Sequence, residues 1–221
     1  MMMTMNVMRM NMRFRWLKML GLLIIMSSTS CTQTPPSKYY ILTSLKSGQV
    51  KETSAKVVMF GIGPIKLPGR LDRAQILTRK GKNAVNIHEY HRWGDSLQRQ
   101  VEEVLAKNLS EHLKVTQVVV YPWEHALRPK YQILITVRHL EGNPTSGTQL
   151  DVIWQLIDVD QDKLILSKHF VTSVPTSTST MTSYIDSQSQ ALIKLSETIA
   201  QSVSALEDQS QRRRIKASRD E

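Results

Sequence analysis

His88-Glu89-Tyr90-His91 is the densest cluster of metal-capable side chains in the 221-residue chain. A zincin helix needs its second histidine four positions after the first, so that both rings share one face, and here that position is Arg92. Read as a strand, the segment puts His88 and Tyr90 on one face and Glu89 and His91 on the other, so the two imidazoles should point apart. Gly61-Ile62-Gly63 follows an apolar strand pattern. The residues after it are Pro64-Ile65-Lys66-Leu67-Pro68-Gly69, and not the helix opening that a phosphate-cradling loop requires. There is no Gly-x-Ser-x-Gly elbow, and the six histidines (88, 91, 112, 125, 139 and 169) pair with no obvious nucleophile along the chain. The expectation is a protein that is not an enzyme and holds no metal or cofactor.

The remaining reactive group is Cys31, the single cysteine of the chain. It lies after a basic stretch with Arg9, Arg13, Arg15 and Lys18, an eight-residue apolar run from Met19 to Met26, and the small residues Ser27 to Ser30. That order is the order of an export signal. A membrane-spanning helix takes about 20 apolar residues, so the run is too short to anchor the chain. Ser28, Thr29 and Ser30 before Cys31 resemble the lipobox of bacterial lipoproteins, with Ser28 where leucine is usual. In such proteins the cysteine is diacylated, the signal is cut just before it, and the new amino terminus is acylated. An ordinary secretory signal with a chance cysteine, or a buried free thiol, are the alternatives. Lipidation suits an exported chain in which one cysteine has no internal disulfide partner. Three acyl chains would exceed the single chain that binds membranes only marginally. Thr32 stands where an Asp would, by the same resemblance, retain a lipoprotein in the inner membrane, so the outer membrane is the implied destination.

The formal charge of +10 at first suggests nucleic acid. Without the four basic residues of the signal, 25 basic residues face 19 acidic ones, a surplus of six, and part of that lies in the tail QRRRIKASRDE. The aromatics do not interleave with the basic residues as stacking platforms would, so no nucleic-acid partner is expected. Hydrophobic residues at 41% and charged residues at 22% are those of a globular domain, which excludes wholesale disorder and a many-helix membrane protein.

The elements that would position these residues follow from periodicity. Residues 31–38 read as a lipidated tether whose seven residues after the cysteine reach about 20 Å at most. Strand patterns cover 39–43, 56–67, 75–81 and 84–93, with a hairpin signal at Gly81-Lys82-Asn83. At 95–113 the period changes, and Leu97, Val101, Val104, Leu105, Leu109 and Leu113 fall on one helical face, with Asp95 and Gln98 forming the cap. Strands return at 115–123, 131–142, 148–160 and 163–174, the last three as a meander. A polar loop then leads to a second amphipathic helix at 184–206, with Tyr184, Ala191, Leu192, Leu195, Ile199, Val203 and Leu206 inward. The reading is an α/β fold: one domain over 39–206, a mixed, largely antiparallel sheet of about eight strands packed with two long helices. Residues 1–30 are the signal peptide and 207–221 a disordered basic tail.

One segment is more specific than any of these motifs. YYIL at 39–42, then GIGPIKLPGRLDRAQILTR from Gly61, then HRWGDSL at 91–97 entering the helix, resembles the ABC-type transport auxiliary lipoprotein family. YPW at 121–123, the strand pair with Trp154 and ALIKLSETIA at 191–200 continue the resemblance in order. It implies a lipid-anchored protein on the periplasmic face of the outer membrane of a Gram-negative bacterium. Its partner would be an MCE-domain protein of the same Pqi-like lipid transport system, with homo-oligomerisation possible. Leu67, Pro68, Gly69, Leu71, Asp72 and Arg73 match the family motif and would meet that partner or a neighbouring subunit, Pro68 and Gly69 fixing a turn and Asp72 and Arg73 forming charge pairs across the interface. Alternatively the loop only shapes a strand crossover, with Leu67 and Leu71 in the core. Tyr90 and Trp93 are candidate interface anchors, or else packing beneath the first helix. The competing function is a stand-alone lipid-binding or structural envelope lipoprotein.

Overall fold

The computed structural model describes residues 34–45, 59–115 and 118–217, with backbone alone for His125 and from 207 onward. The segment from Ser37 onward forms one compact unit. Its strands are β1 (Lys38–Tyr40), β2 (Phe60–Lys66), β3 (Gln75–Lys80), β4 (Ala84–Trp93), β5 (Val118–Val120), β6 (Tyr131–Asn143), β7 (Gly147–Asp158) and β8 (Lys163–Val174). The helices are α1 (Leu97–Leu113) and α2 (Met181–Ala217). Eight strands and two long helices are as the periodicity predicts. They divide, however, into two sheets, ordered β1-β4-β3 and β5-β2-β6-β7-β8. Both edges of β2 are occupied by parallel neighbours, β5 and β6, so the β3–β4 hairpin finds no edge there and pairs with β1 instead. The predicted meander β6-β7-β8 is antiparallel throughout.

Inward alternation builds the core. Ile133, Ile135 and Val137 of β6 face the same layer as Leu150, Val152 and Trp154 of β7, all at most 3% exposed. The two helices pack on each other, α1 against β2 and β5, α2 against β6, β7 and β8. Their predicted apolar faces are the buried ones, with Leu113 and Leu206 at the margin. Helix α1 starts later than its pattern suggests. Ser96, and not Asp95, is the cap: its Oγ accepts the Arg99 N–H at 3.2 Å, while Asp95 Oδ1 accepts the Ser96 N–H. Helix α2 begins at Met181 because Thr180 Oγ1 accepts the Ser183 N–H at 3.2 Å, shortening the expected polar loop. Its backbone runs on to Ala217, so part of the expected disordered tail from Glu207 is helical.

Two predicted strands are cut short: that over 115–123 is present, among the described residues, only at Val118–Val120, and that over 39–43 stops pairing at Tyr40. Residues 41–45 are held by side chains of both helices. The N–H groups of Leu42, Thr43 and Leu45 donate to Gln100 Oε1 at 2.8 Å, Ser189 Oγ at 3.1 Å and Asn108 Oδ1 at 2.8 Å. Buried backbone donors need acceptors, and buried side chains on the helix faces supply them here. Gln100 also donates to the Asp95 carbonyl, so one amide links this strap to the start of α1. Gln100→Ala is expected to cost about 2 kcal/mol by leaving the buried Leu42 N–H unpaired. Denaturant titration measures the loss, and hydrogen exchange should quicken at Leu42 specifically.

Candidate functional site

The chain between β2 and β3 forms a single 3-10 turn, Gly69–Leu71, closed by Leu71 N–H to Pro68 O at 2.8 Å and Asp72 N–H to Gly69 O at 3.2 Å. Pro68 sits at φ −59°, the angle its ring prefers, immediately before the turn. Trp93 at the end of β4 donates its backbone N–H to the Ala74 carbonyl at 2.7 Å, and the next three residues lead into α1. Between turn and helix lies a cleft of about 450 Å³. Leu67, Gly69, Leu71, Asp72, Arg73 and Trp93 line it together with residues 95–98 and Ala74. Leu71, Trp93 and Leu97 are nearly buried, while Asp72 and Asp95 are exposed. The result is an apolar recess bordered by charge. Of the predicted contact residues, Pro68 shapes the turn without lining the cleft, and Tyr90 lies outside it, exposed on β4.

Arg70 and Glu141 were not among the expected site residues, yet they fix the turn. Arg70 Nε donates to Glu141 Oε1, and its Nη2 reaches the Arg138 carbonyl and His139 Nδ1, each at 3.2 Å. Arg79 Nη1 lies 3.6 Å from Glu141 Oε2, an ion pair beyond hydrogen-bonding distance. The Glu141 side chain is 1% exposed, so this carboxylate relies on the two arginines for its charge. A register shift between Val137 and His139 puts it there, resetting the alternation of β6 so that Leu140 pairs with Leu150 in the core. Close by, Tyr184 of α2 accepts the Gly142 N–H at 3.1 Å and donates to the Leu77 carbonyl at 3.4 Å. Burial pushes its hydroxyl far above the usual tyrosine range, so it stays a neutral donor.

His88 and His91 do not point apart. The pairing of β3 with β4 shifts register between Gln75 and Ile76, where Gln75 faces Arg92 but Ile76 faces His88, leaving residues 89–91 as a bulge. The bulge brings the rings edge to face at 5.9 Å between centroids. Each ring is already engaged, His88 Nε2 with Thr78 Oγ1 at 2.8 Å and His91 Nδ1 with the Tyr40 hydroxyl at 2.7 Å. Burial first, and His91 second, hold the His88 imidazole below the ordinary histidine range. A depressed folded-state value means that the unfolded chain takes up its proton first as pH falls. The contribution of His88 to stability is therefore full above about pH 6.5 and is lost below it until the folded form also protonates. Replacing His88 with Gln should flatten that acid-side slope in thermal melts at stepped pH. Gly61 is likewise structural. A Cβ there would lie 2.6 Å from Pro129 Cγ and 2.8 Å from Trp123 Cζ3, so only glycine lets the YPW loop close on β2.

Among the described residues no three His, Cys, Asp or Glu gather to hold a metal ion, and Cys31 lies outside them. What the cleft offers is shape, an apolar floor and rim charge, which suit recognition. The sequence profile of one family, described as the ABC-type transport auxiliary lipoprotein component, matches residues 40–200. The chain belongs to this family. The match runs from β1 into α2 and contains the whole cleft, so the auxiliary lipoprotein family supplies the fold and a transport role. No curated protein matches the chain. Among solved structures, an uncharacterized protein superposes with a TM-score of 0.62 at 16% identity, covering 76% of this chain and 99% of its own. A Xanthomonas campestris protein of the family DUF330 superposes at 0.63 with 14% identity, covering 79% and 99%. Both share the fold of the auxiliary lipoproteins.

Proposed function

We propose that this protein is the non-enzymatic outer-membrane subunit of an MCE-type lipid transport system, and that its cleft receives the periplasm-crossing MCE partner. The supporting observation is the convergence of the family motif on one pinned recess: Leu67, Gly69, Leu71, Asp72, Arg73 and Trp93 come from a turn and a strand end 20 residues apart and line the same cleft. Arg70 holds the turn from behind, so the recess is shaped before a partner arrives. Its buried floor would take an apolar anchor, and Asp72 and Arg73 would set its orientation through charge.

Affinity purification of the acylated protein from detergent-solubilised envelopes of the source bacterium tests this reading. An MCE-domain protein should co-purify and be identified by mass spectrometry. Recovery of the protein alone, carrying lipid but no MCE partner, would favour a stand-alone lipid-binding lipoprotein.

A further inference from the structure

Tyr39 and Ile41 are the two most exposed large apolar side chains among the described residues, at 68% and 65%. They alternate along one extended segment, and Tyr39 pairs in register with Arg92 while Ile41 lies against Gly94, where glycine leaves room for it. Hydrogen bonds fix the segment to its neighbours. The Tyr40 hydroxyl bonds His91 Nδ1, the Tyr40 carbonyl accepts the Gly94 N–H at 2.8 Å, and the Leu42 N–H is held by Gln100. Basic side chains flank it, Lys38 before and Arg92 beside, and residues 37–42 contain no acid.

We propose that Tyr39 and Ile41, with Lys38 and Arg92, form a face that rests in the headgroup region of a phospholipid bilayer. The inference rests on the lipid anchor of the family reading and names the surface that the anchor presses against the membrane. Tether length selects this occupant. Only seven residues separate Cys31 from Tyr39, a reach of about 20 Å, whereas a folded unit of this length is roughly 40 Å across. A tether shorter than the domain keeps the face bearing its attachment point towards the bilayer. Tyrosine is favoured at the headgroup level, a neighbouring aliphatic side chain can enter the acyl boundary, and basic residues meet anionic lipid.

Cys31 is the chain's single cysteine, so once acylated it leaves an introduced cysteine as the only free thiol. The acylated full-length protein carrying Ile41→Cys, labelled with an environment-sensitive fluorophore, is reconstituted into vesicles of phosphatidylethanolamine and phosphatidylglycerol. Leu164→Cys, exposed on β8 in the other sheet, is the reference. Emission from position 41 should shift to the blue and be lost when the lipids bear a headgroup nitroxide, while position 164 stays unchanged. Tyr39→Cys should respond like position 41, which guards against a local fault in either variant. Membrane-bound protein in which position 41 reports water as position 164 does overturns this inference and leaves the anchor standing. A blue shift without lipid quenching means that protein covers the face, and also overturns it. Recovery of the protein unacylated in the soluble fraction overturns both the face and the anchor.

Discussion

Replacing Cys31 with alanine should move the protein almost completely from the membrane pellet to the soluble fraction. Each buried methylene contributes about 0.8 kcal/mol to membrane binding, so acyl chains on Cys31 would dominate every other attachment available to this chain. The apolar run from Met19 to Met26 has eight residues, well under the about 20 that span a bilayer. No helix among the described residues is long and apolar enough to cross a membrane. Two interfacial side chains, Tyr39 and Ile41, orient a tethered domain but do not retain a free one. Fractionation followed by immunoblotting measures the shift, and a Cys31→Ala protein that pellets like the parent would refute acylation at this residue.

Arg70→Ala should destabilise the fold by about 3 kcal/mol, because it strands the buried Glu141 carboxylate. Arg79 remains 3.6 Å away and offsets part of the loss, which sets the value at the lower end of the range for broken buried pairs. For a domain of this size that corresponds to a drop in Tm of roughly 6–12 °C. Glu141→Gln should cost less, about 1 kcal/mol, since the freed guanidiniums are partly exposed and reach water. The asymmetry separates a buried charge from an ordinary surface pair, for which both changes would cost little. Combining Arg70→Met with Glu141→Leu should recover most of the stability, as apolar replacement of buried pairs commonly does. Calorimetry of the three variants beside the parent decides it, and equal small losses in Arg70→Ala and Glu141→Gln would mean that the pair does not hold the turn.

Long amphipathic elements were legible in the sequence because their burial is periodic. β4 and β8 match their predicted bounds, and the inner faces of α1 and α2 are those read from spacing. Features set by registers and by side-chain acceptors were not legible. The bulge at 89–91 joins His88 to His91, and the extra residue at Arg138 puts Glu141 out of water, yet neither leaves a mark in a strand's composition. The strap at 41–45 has strand-like residues, but its partners are Gln100, Asn108 and Ser189 on two helices, a long-range arrangement that no local pattern encodes. The motif loop is legible as a unit, but the part Arg70 plays in it is not, because that depends on a glutamate 71 positions away.

The most direct measurement is site-resolved photocrosslinking in intact envelopes, with a benzophenone amino acid at Asp72, exposed at the cleft rim, and at Leu164 as reference. An adduct with an MCE-domain protein should form from position 72 and not from position 164. Adducts from position 72 with unrelated proteins only, or equal MCE capture from both positions, would contradict docking at this cleft.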